Sequence, residues 1–193
     1  MSNLSIDPRT TALVLIDLQY GIVAMDVHPQ QSSAVVAQAK TLADAFRAAQ
    51  APVVWVTVGT LGAQDALAPR ADAVPPPATA KPANWSTVVS EAGAQPGDLY
   101  ITKRQWGAFY GTELDLQLRR RGIQTIVLAG ISTNVGVEST ARDAYERAYD
   151  QVFVSDAMAS PSAEAHANTL KFTFPRIGLT RTSAQVLAAL AAG

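Results

Sequence analysis

Thr125-Ile126-Val127-Leu128-Ala129-Gly130-Ile131-Ser132-Thr133-Asn134-Val135-Gly136-Val137-Glu138-Ser139-Thr140-Ala141-Arg142-Asp143-Ala144 runs from a continuous apolar segment through a polar turn into a helical pattern. An unbroken apolar run of this length reads as a strand buried on both faces, the signature of a parallel sheet. A tight polar turn between such a strand and a helix start is where an α/β enzyme presents a nucleophile, because helix amides and the helix dipole favour developing negative charge. Here the residue at that turn is Gly136, and the chain contains no cysteine.

The same pattern recurs outward from this stretch. Apolar runs at residues 11–18, 53–58, 99–102, 125–129 and 151–154, with a weaker one at 176–180, alternate with helical patterns at 33–50, 112–121, 137–148, 162–173 and 183–192. Strand-helix alternation predicts right-handed crossovers and a three-layer, doubly wound α/β fold, six mostly parallel strands with helices on both faces. Ligands in such sheets bind beyond the carboxyl ends of the strands, where strand order reverses. With the order 3-2-1-4-5-6, the first and fourth strands are neighbours at that point and Asp17 faces the Gly136 turn.

The 193 residues suit a single domain, 1–193, with a core that needs no disulfide or structural metal. One irregular stretch, 59–97, holds Pro75-Pro76-Pro77 and Pro82 and reads as a Pro-rich arm, either a functional lid or interface element or a surface excursion. A weak helical hint lies at 87–92, and Trp85 is an unusual residue to leave in water. Fifteen basic against 16 acidic side chains leave a formal charge of -1, so no phosphate-tracking stripe exists and no nucleic-acid partner is expected. Arg119-Arg120-Arg121 reads as the last turn of a helix. The polar start of the chain is neither signal nor transit peptide, and no stretch approaches the ~18 apolar residues that span a bilayer. A cytoplasmic protein without a membrane partner is expected. The lack of cysteine excludes disulfides, thiolate catalysis and Cys-ligated zinc.

Three chemistry-bearing features fall at strand ends: Asp17 after the first, Lys103 after the third and the Ser132 to Gly136 turn after the fourth. Read singly, Asp17 is equally a turn cap and Lys103 an exposed strand-end residue. Thr133 and Asn134 either address a substrate or satisfy the turn backbone. Arg142 and Asp143 lie further along the helix and read as a structural salt-bridge set. Trp106 and Phe109 offer either core packing or a pocket wall for a planar substrate, and Tyr20 has a similar claim. No Gly-x-Gly-x-x-Gly run follows the first strand, which argues against a dinucleotide site.

Leu15-Ile16-Asp17-Leu18-Gln19, Thr102-Lys103-Arg104-Gln105-Trp106-Gly107-Ala108-Phe109-Tyr110-Gly111-Thr112 and Gly130 to Ala144 together resemble the three motif blocks of the isochorismatase-like hydrolases, in order and spacing. The resemblance implies a six-stranded parallel sheet, an oligomeric hydrolase (homodimer or homotetramer) of a small molecule, and an Asp17/Lys103 pair in the pocket. Ser132, Thr133, Asn134, Val135 and Val137 then join Tyr20, Trp106 and Phe109 as substrate-binding candidates. Amidase-type members place their nucleophilic cysteine at the position of Gly136, which rules out a thioester here. Nicotinamidase-type members carry an Asp/His metal site. This chain has only His28 and His166, in unrelated segments, so no metal and no cofactor are expected. His166 reads as helix surface or a structural hydrogen-bonding group.

Isochorismatases proper also lack the cysteine. Hydrolysis of their vinyl ether needs a proton on the enol carbon, after which water attacks the oxocarbenium ion. Asp17 can deliver it if burial raises its pKa, with Lys103 as electrostatic partner, although a nearby ammonium opposes that shift. A substrate carboxylate on Lys103 would remove the conflict. The segment Val56-Thr57-Val58-Gly59 lacks the glutamine that isochorismatases place there, so the substrate stays open. The reading is a cysteine-independent hydrolase with Asp17 as general acid/base; the alternative is an inactive small-molecule-binding or scaffold member. Gly136 is expected to leave open space beside the pair.

Overall fold

The computed structural model describes residues 4–72 and 81–192; Pro75-Pro76-Pro77 lies outside them. Six parallel strands form one sheet in the order β3-β2-β1-β4-β5-β6. They are β1 (Thr11–Ile16), β2 (Val53–Val58), β3 (Leu99–Lys103), β4 (Thr125–Ile131), β5 (Asp150–Ala159) and β6 (Leu179–Arg181). The helices are α1 (Tyr20–Val23), α2 (Ser32–Ala48), α3 (Leu114–Arg120), α4 (Glu138–Glu146), α5 (Ala163–Asn168), α6 (Phe174–Ile177) and α7 (Ser183–Ala191). Two stretches of wider, π-type winding, Thr133–Val137 and Thr169–Thr173, lead into α4 and α6.

Alternation along the strands divides the core in two. Leu13, Leu15, Trp55 and Val127 point to the face covered by α2 and α7, where Val35, Leu42, Phe46 and Val186 meet them. Ala12, Val14, Ile16 and Leu128 point to the other face and pack on Leu114, Leu118, Ala141 and Phe174 from α3, α4 and α6. Every residue of β1 is buried, which is why this strand shows no polar alternation in sequence.

Three boundaries differ from the sequence expectation. β5 continues five residues past Val154 because Ser155 and Asp156 stay within the strand, Asp156 accepting the Ser183 amide at 2.7 Å and the Ser183 hydroxyl at 2.7 Å. The sixth strand is three residues long and starts at Leu179, since Pro175 sits in the first turn of α6 and Gly178 ends that helix. The hint at 87–92 becomes a 3-10 turn at Ser90–Ala92, preceded by an antiparallel bridge between Val88 and Gln19. That bridge brings the arm back onto the chain leaving β1. Trp85 packs against Gly21, where a Cβ would fall 2.0 Å from the indole nitrogen, so a side chain there would displace the ring.

Candidate active site

The site grows from the carboxyl ends of β1, β3 and β4. Gly130 lets β4 approach β1 at this level: its φ is +128° and a Cβ would stand 2.1 Å from the Ile16 carbonyl oxygen. Asp17, the first residue past β1, has φ 55° while its amide still bonds the Val56 carbonyl at 2.8 Å. A non-glycine residue in the left-handed region is strained by about 1–2 kcal/mol and marks a position that the surroundings enforce. The turn throws the carboxylate sideways under the Gly136 winding.

Lys103 ends β3 and reaches past the end of β2 to the same point. Its Nζ donates to Asp17 Oδ2 at 2.8 Å and to the Gln105 carbonyl at 3.2 Å, with both side chains almost wholly buried, 2% and 8% exposed. Asp17 Oδ1 is buried and has no hydrogen-bond partner. Burial pushes the Asp17 carboxyl up to about 6, and Lys103 pulls it back only in part. Here desolvation outweighs attraction, because a single ammonium does not replace the water a carboxylate loses.

The pair lines a cavity of about 520 Å³ together with Trp106, Ser132, Asn134, Val135 and Gly136. Gly136 does not leave the open space expected of it. A Cβ there would sit 3.0 Å from Asp17 Oδ2, 3.0 Å from Ile16 Cγ2 and 3.5 Å from Lys103 Nζ, so the pair closes onto the glycine. Thr140 locks the arrangement, donating to the Gly136 carbonyl at 2.7 Å and accepting the Ala108 amide at 3.1 Å.

Four of the candidates named from sequence lie elsewhere. Phe109 is 3% exposed and packs on Tyr149, ring centroids 5.7 Å apart, as core rather than pocket wall. Val137 is buried in the same core cluster. Thr133 is fully buried with its hydroxyl 2.8 Å from His166 Nδ1, which identifies His166 as a structural hydrogen-bonding group whose pKa burial lowers. Tyr20 lies across α1 in a separate, mostly apolar groove of about 750 Å³, its hydroxyl 3.2 Å from Ser90 Oγ. Arg142 pairs with Glu138 within α4 at 2.7 Å, and Asp143 with Arg147 just past its end at 3.5 Å. Among the described residues no three His, Cys, Asp or Glu side chains gather as a metal would require, and no helix is long and apolar enough to cross a membrane.

Sequence reasoning missed Ser160 and Ser162, which line the cavity beyond β5, and Ile22 and Met25 from the α1 side. The serines obey the same strand-end rule that finds Asp17, but the apolar run in the sequence stops at Val154. It also missed Gln19, fully buried, whose side chain accepts the Val58 amide at 2.7 Å and donates to the Val58 and Trp85 carbonyls at 3.0 and 3.2 Å. Gln19 thus ties the chain leaving β1 to the end of β2 and to the arm; its place two residues after Asp17 was the available signal.

The isochorismatase domain model matches residues 11–185, a span that contains every element of this site. The chain belongs to the isochorismatase family. It is 52% identical over 188 residues to the isochorismatase family protein YwoC of Bacillus subtilis, covering 97% of each chain. An isochorismatase family protein structure from Burkholderia thailandensis superposes with a TM-score of 0.93 at 48% identity, covering 98% of this chain and 100% of that one. A more distant relative, the ureidoacrylate amidohydrolase RutB of Methylobacterium radiotolerans, is 30% identical over 185 residues, covering 84% of this chain and 72% of its own. The family is one of hydrolases, and this isochorismatase family member carries the Asp17/Lys103 pair with glycine between the two.

Proposed function

We propose that this protein hydrolyses a small metabolite without a covalent enzyme intermediate, with Asp17 as general acid and Lys103 as its electrostatic partner. The observation that carries the reading is a carboxyl group in a cavity wall, raised to about 6 by burial, touched by one ammonium and left with an unpartnered oxygen. A group with that pKa is protonated often enough near neutrality to donate, and acidic enough to do so readily. No nucleophilic side chain stands at Gly136.

The bond class that suits a lone acid is the vinyl ether. The electron pair of the carbon-carbon double bond takes the Asp17 proton, leaving an oxocarbenium ion beside the Asp17 carboxylate. Water adds to the cationic carbon and returns a proton to that carboxylate. The hemiketal then releases an alcohol and a carbonyl compound, so one water is consumed and Asp17 is regenerated. Lys103 steadies the carboxylate while it is charged.

The test is a panel of vinyl ethers, amides and esters, with each hit repeated on Asp17→Asn. Loss of ~10²-fold or more in rate is expected on removing a general acid. The wild-type kcat/KM should fall as pH rises above about 6, where Asp17 loses its proton. Full rate in Asp17→Asn overturns the mechanism. A panel with no turnover favours the second reading, a binding protein on the same scaffold, for which Gly136 is the supporting observation.

A further inference from the structure

We propose that the cavity takes a ligand bearing a single carboxylate, set against Lys103, and that this carboxylate enters together with a proton on Asp17. The inference rests on the reading that Asp17 and Lys103 form the ligand site, and extends it to ligand class. Of the residues lining the cavity, only Asp17 and Lys103 carry an acidic or basic side chain. The opposite wall is uncharged: Ser132, Ser160, Ser162 and Asn134, with Ser160 donating to Asn134 Oδ1 at 2.5 Å. With both members of the pair ionised the cavity is neutral and has no charge to offer an anion.

Protonating Asp17 changes that sum. Lys103 is then the one uncompensated charge, and a single ligand carboxylate neutralises it. A second carboxylate would be buried without a counter-charge, which proteins avoid. Residues 73–80, Ala-Val-Pro-Pro-Pro-Ala-Thr-Ala, contain no cation to supply one.

The surrounding ionisable groups are committed elsewhere. Arg104 holds Asp65 at 2.9 Å, His28 faces Asp26 at 3.8 Å, and His166 meets the Thr133 hydroxyl. Glu138 on α4 takes Arg142, Thr169 and Thr173. Of the elements packed on Asp17, β3 presents Lys103 itself, while β2 and the Thr133–Val137 winding present no titratable side chain toward it. Proton uptake on anion binding therefore falls to Asp17.

Three probes with one ring separate the cases: benzamide, benzoate and isophthalate, carrying zero, one and two carboxylates, titrated calorimetrically into the intact protein at pH 6 to 8 in buffers of different ionisation enthalpy. Benzoate should bind with uptake of more than about half a proton at pH 7.5, and its affinity should fall about tenfold per pH unit above 7. Isophthalate should bind at least tenfold more weakly than benzoate. In Asp17→Asn, where the acid is permanently uncharged, benzoate should bind without proton uptake and with no pH dependence over that range. Benzoate binding with no proton uptake by wild type, isophthalate binding as tightly as benzoate, or no binding by any probe each overturns the proposal. These readouts need no turnover: full rate in Asp17→Asn would remove the acid mechanism and leave proton-linked binding standing, whereas a flat benzoate profile would do the reverse.

Discussion

Asp17 and Asp98 stand at opposite ends of the sheet, each with its carboxylate side chain buried and each paired with a cation. Asp17 follows β1 and meets Lys103 at 2.8 Å; Asp98 precedes β3 and meets Arg47 at 2.6 Å. Their side chains are 8% and 5% exposed, yet the two carboxyls shift in opposite directions. The difference lies in donors. Burial pushes Asp98 up, but Arg47 Nε and Nη2, the Trp55 indole and the Gln95 amide all donate to it, and together they hold it below the usual carboxylate range. Asp17 receives one donor and keeps a bare oxygen. A satisfied carboxylate clamps α2 to the start of β3; an unsatisfied one keeps an oxygen without a partner.

Removing the clamp should have the largest effect on stability. Asp98→Ala leaves the Trp55 indole without its acceptor and Arg47 with only Asp44 and the Gly93 carbonyl, for an expected loss of about 3 kcal/mol in urea unfolding. A loss under about 1 kcal/mol would mean that the four donors find other acceptors and the contrast between the two ends is weaker than the geometry shows.

Next in size is the pH dependence, where the two aspartates carry opposite signs. The folded Asp17 carboxyl, at about 6, lies above its ordinary 3.8. Its stabilising contribution is fully present below pH 3.8 and is lost as pH rises through 6, about 3 kcal/mol in all. Asp98, with its pKa lowered, contributes stability above the ordinary carboxyl range that disappears as pH falls through its folded value. Unfolding curves from pH 3 to 7 should therefore lose their decline between pH 4 and 6 in Asp17→Asn, and lose part of their acid-side drop in Asp98→Asn. An unchanged wild-type slope between pH 4 and 6 in Asp17→Asn would show that Asp17 is solvated after all.

The smallest change tests how tightly the open end is built. A Cβ at Gly136 meets Asp17 Oδ2 and Ile16 Cγ2 at 3.0 Å, so Gly136→Ala should cost about 1–2 kcal/mol by crowding. Retained wild-type stability in Gly136→Ala would reveal slack around the pair.

Much of the site was legible because the rule that finds it is local. A carboxylate or a turn directly after an apolar run lies at a strand's carboxyl end, and Asp17, Lys103, Ser132 and Asn134 all satisfy it. Ser160 and Ser162 escaped the same rule because β5 carries Ser155 and Asp156 inside it, and polar residues within a run read as its end. Phe109 and Val137 turn into the core for a different reason. Both are apolar and adjacent to site residues, and sequence distance does not say on which side of a strand end a side chain turns.

The alternation of buried runs and amphipathic stretches determined the layered parallel sheet on its own, since period and length are properties of contiguous residues. Three spaced motifs sufficed for the family, and composition alone for the absence of cysteine. Only the folded chain decided that Gly136 is crowded instead of open, that the arm lays Trp85 on Gly21, and that two aspartates of the same kind differ in pKa direction. Each of these depends on how many groups from distant segments converge on one atom. That number is set by packing across the sheet, and no local pattern encodes it.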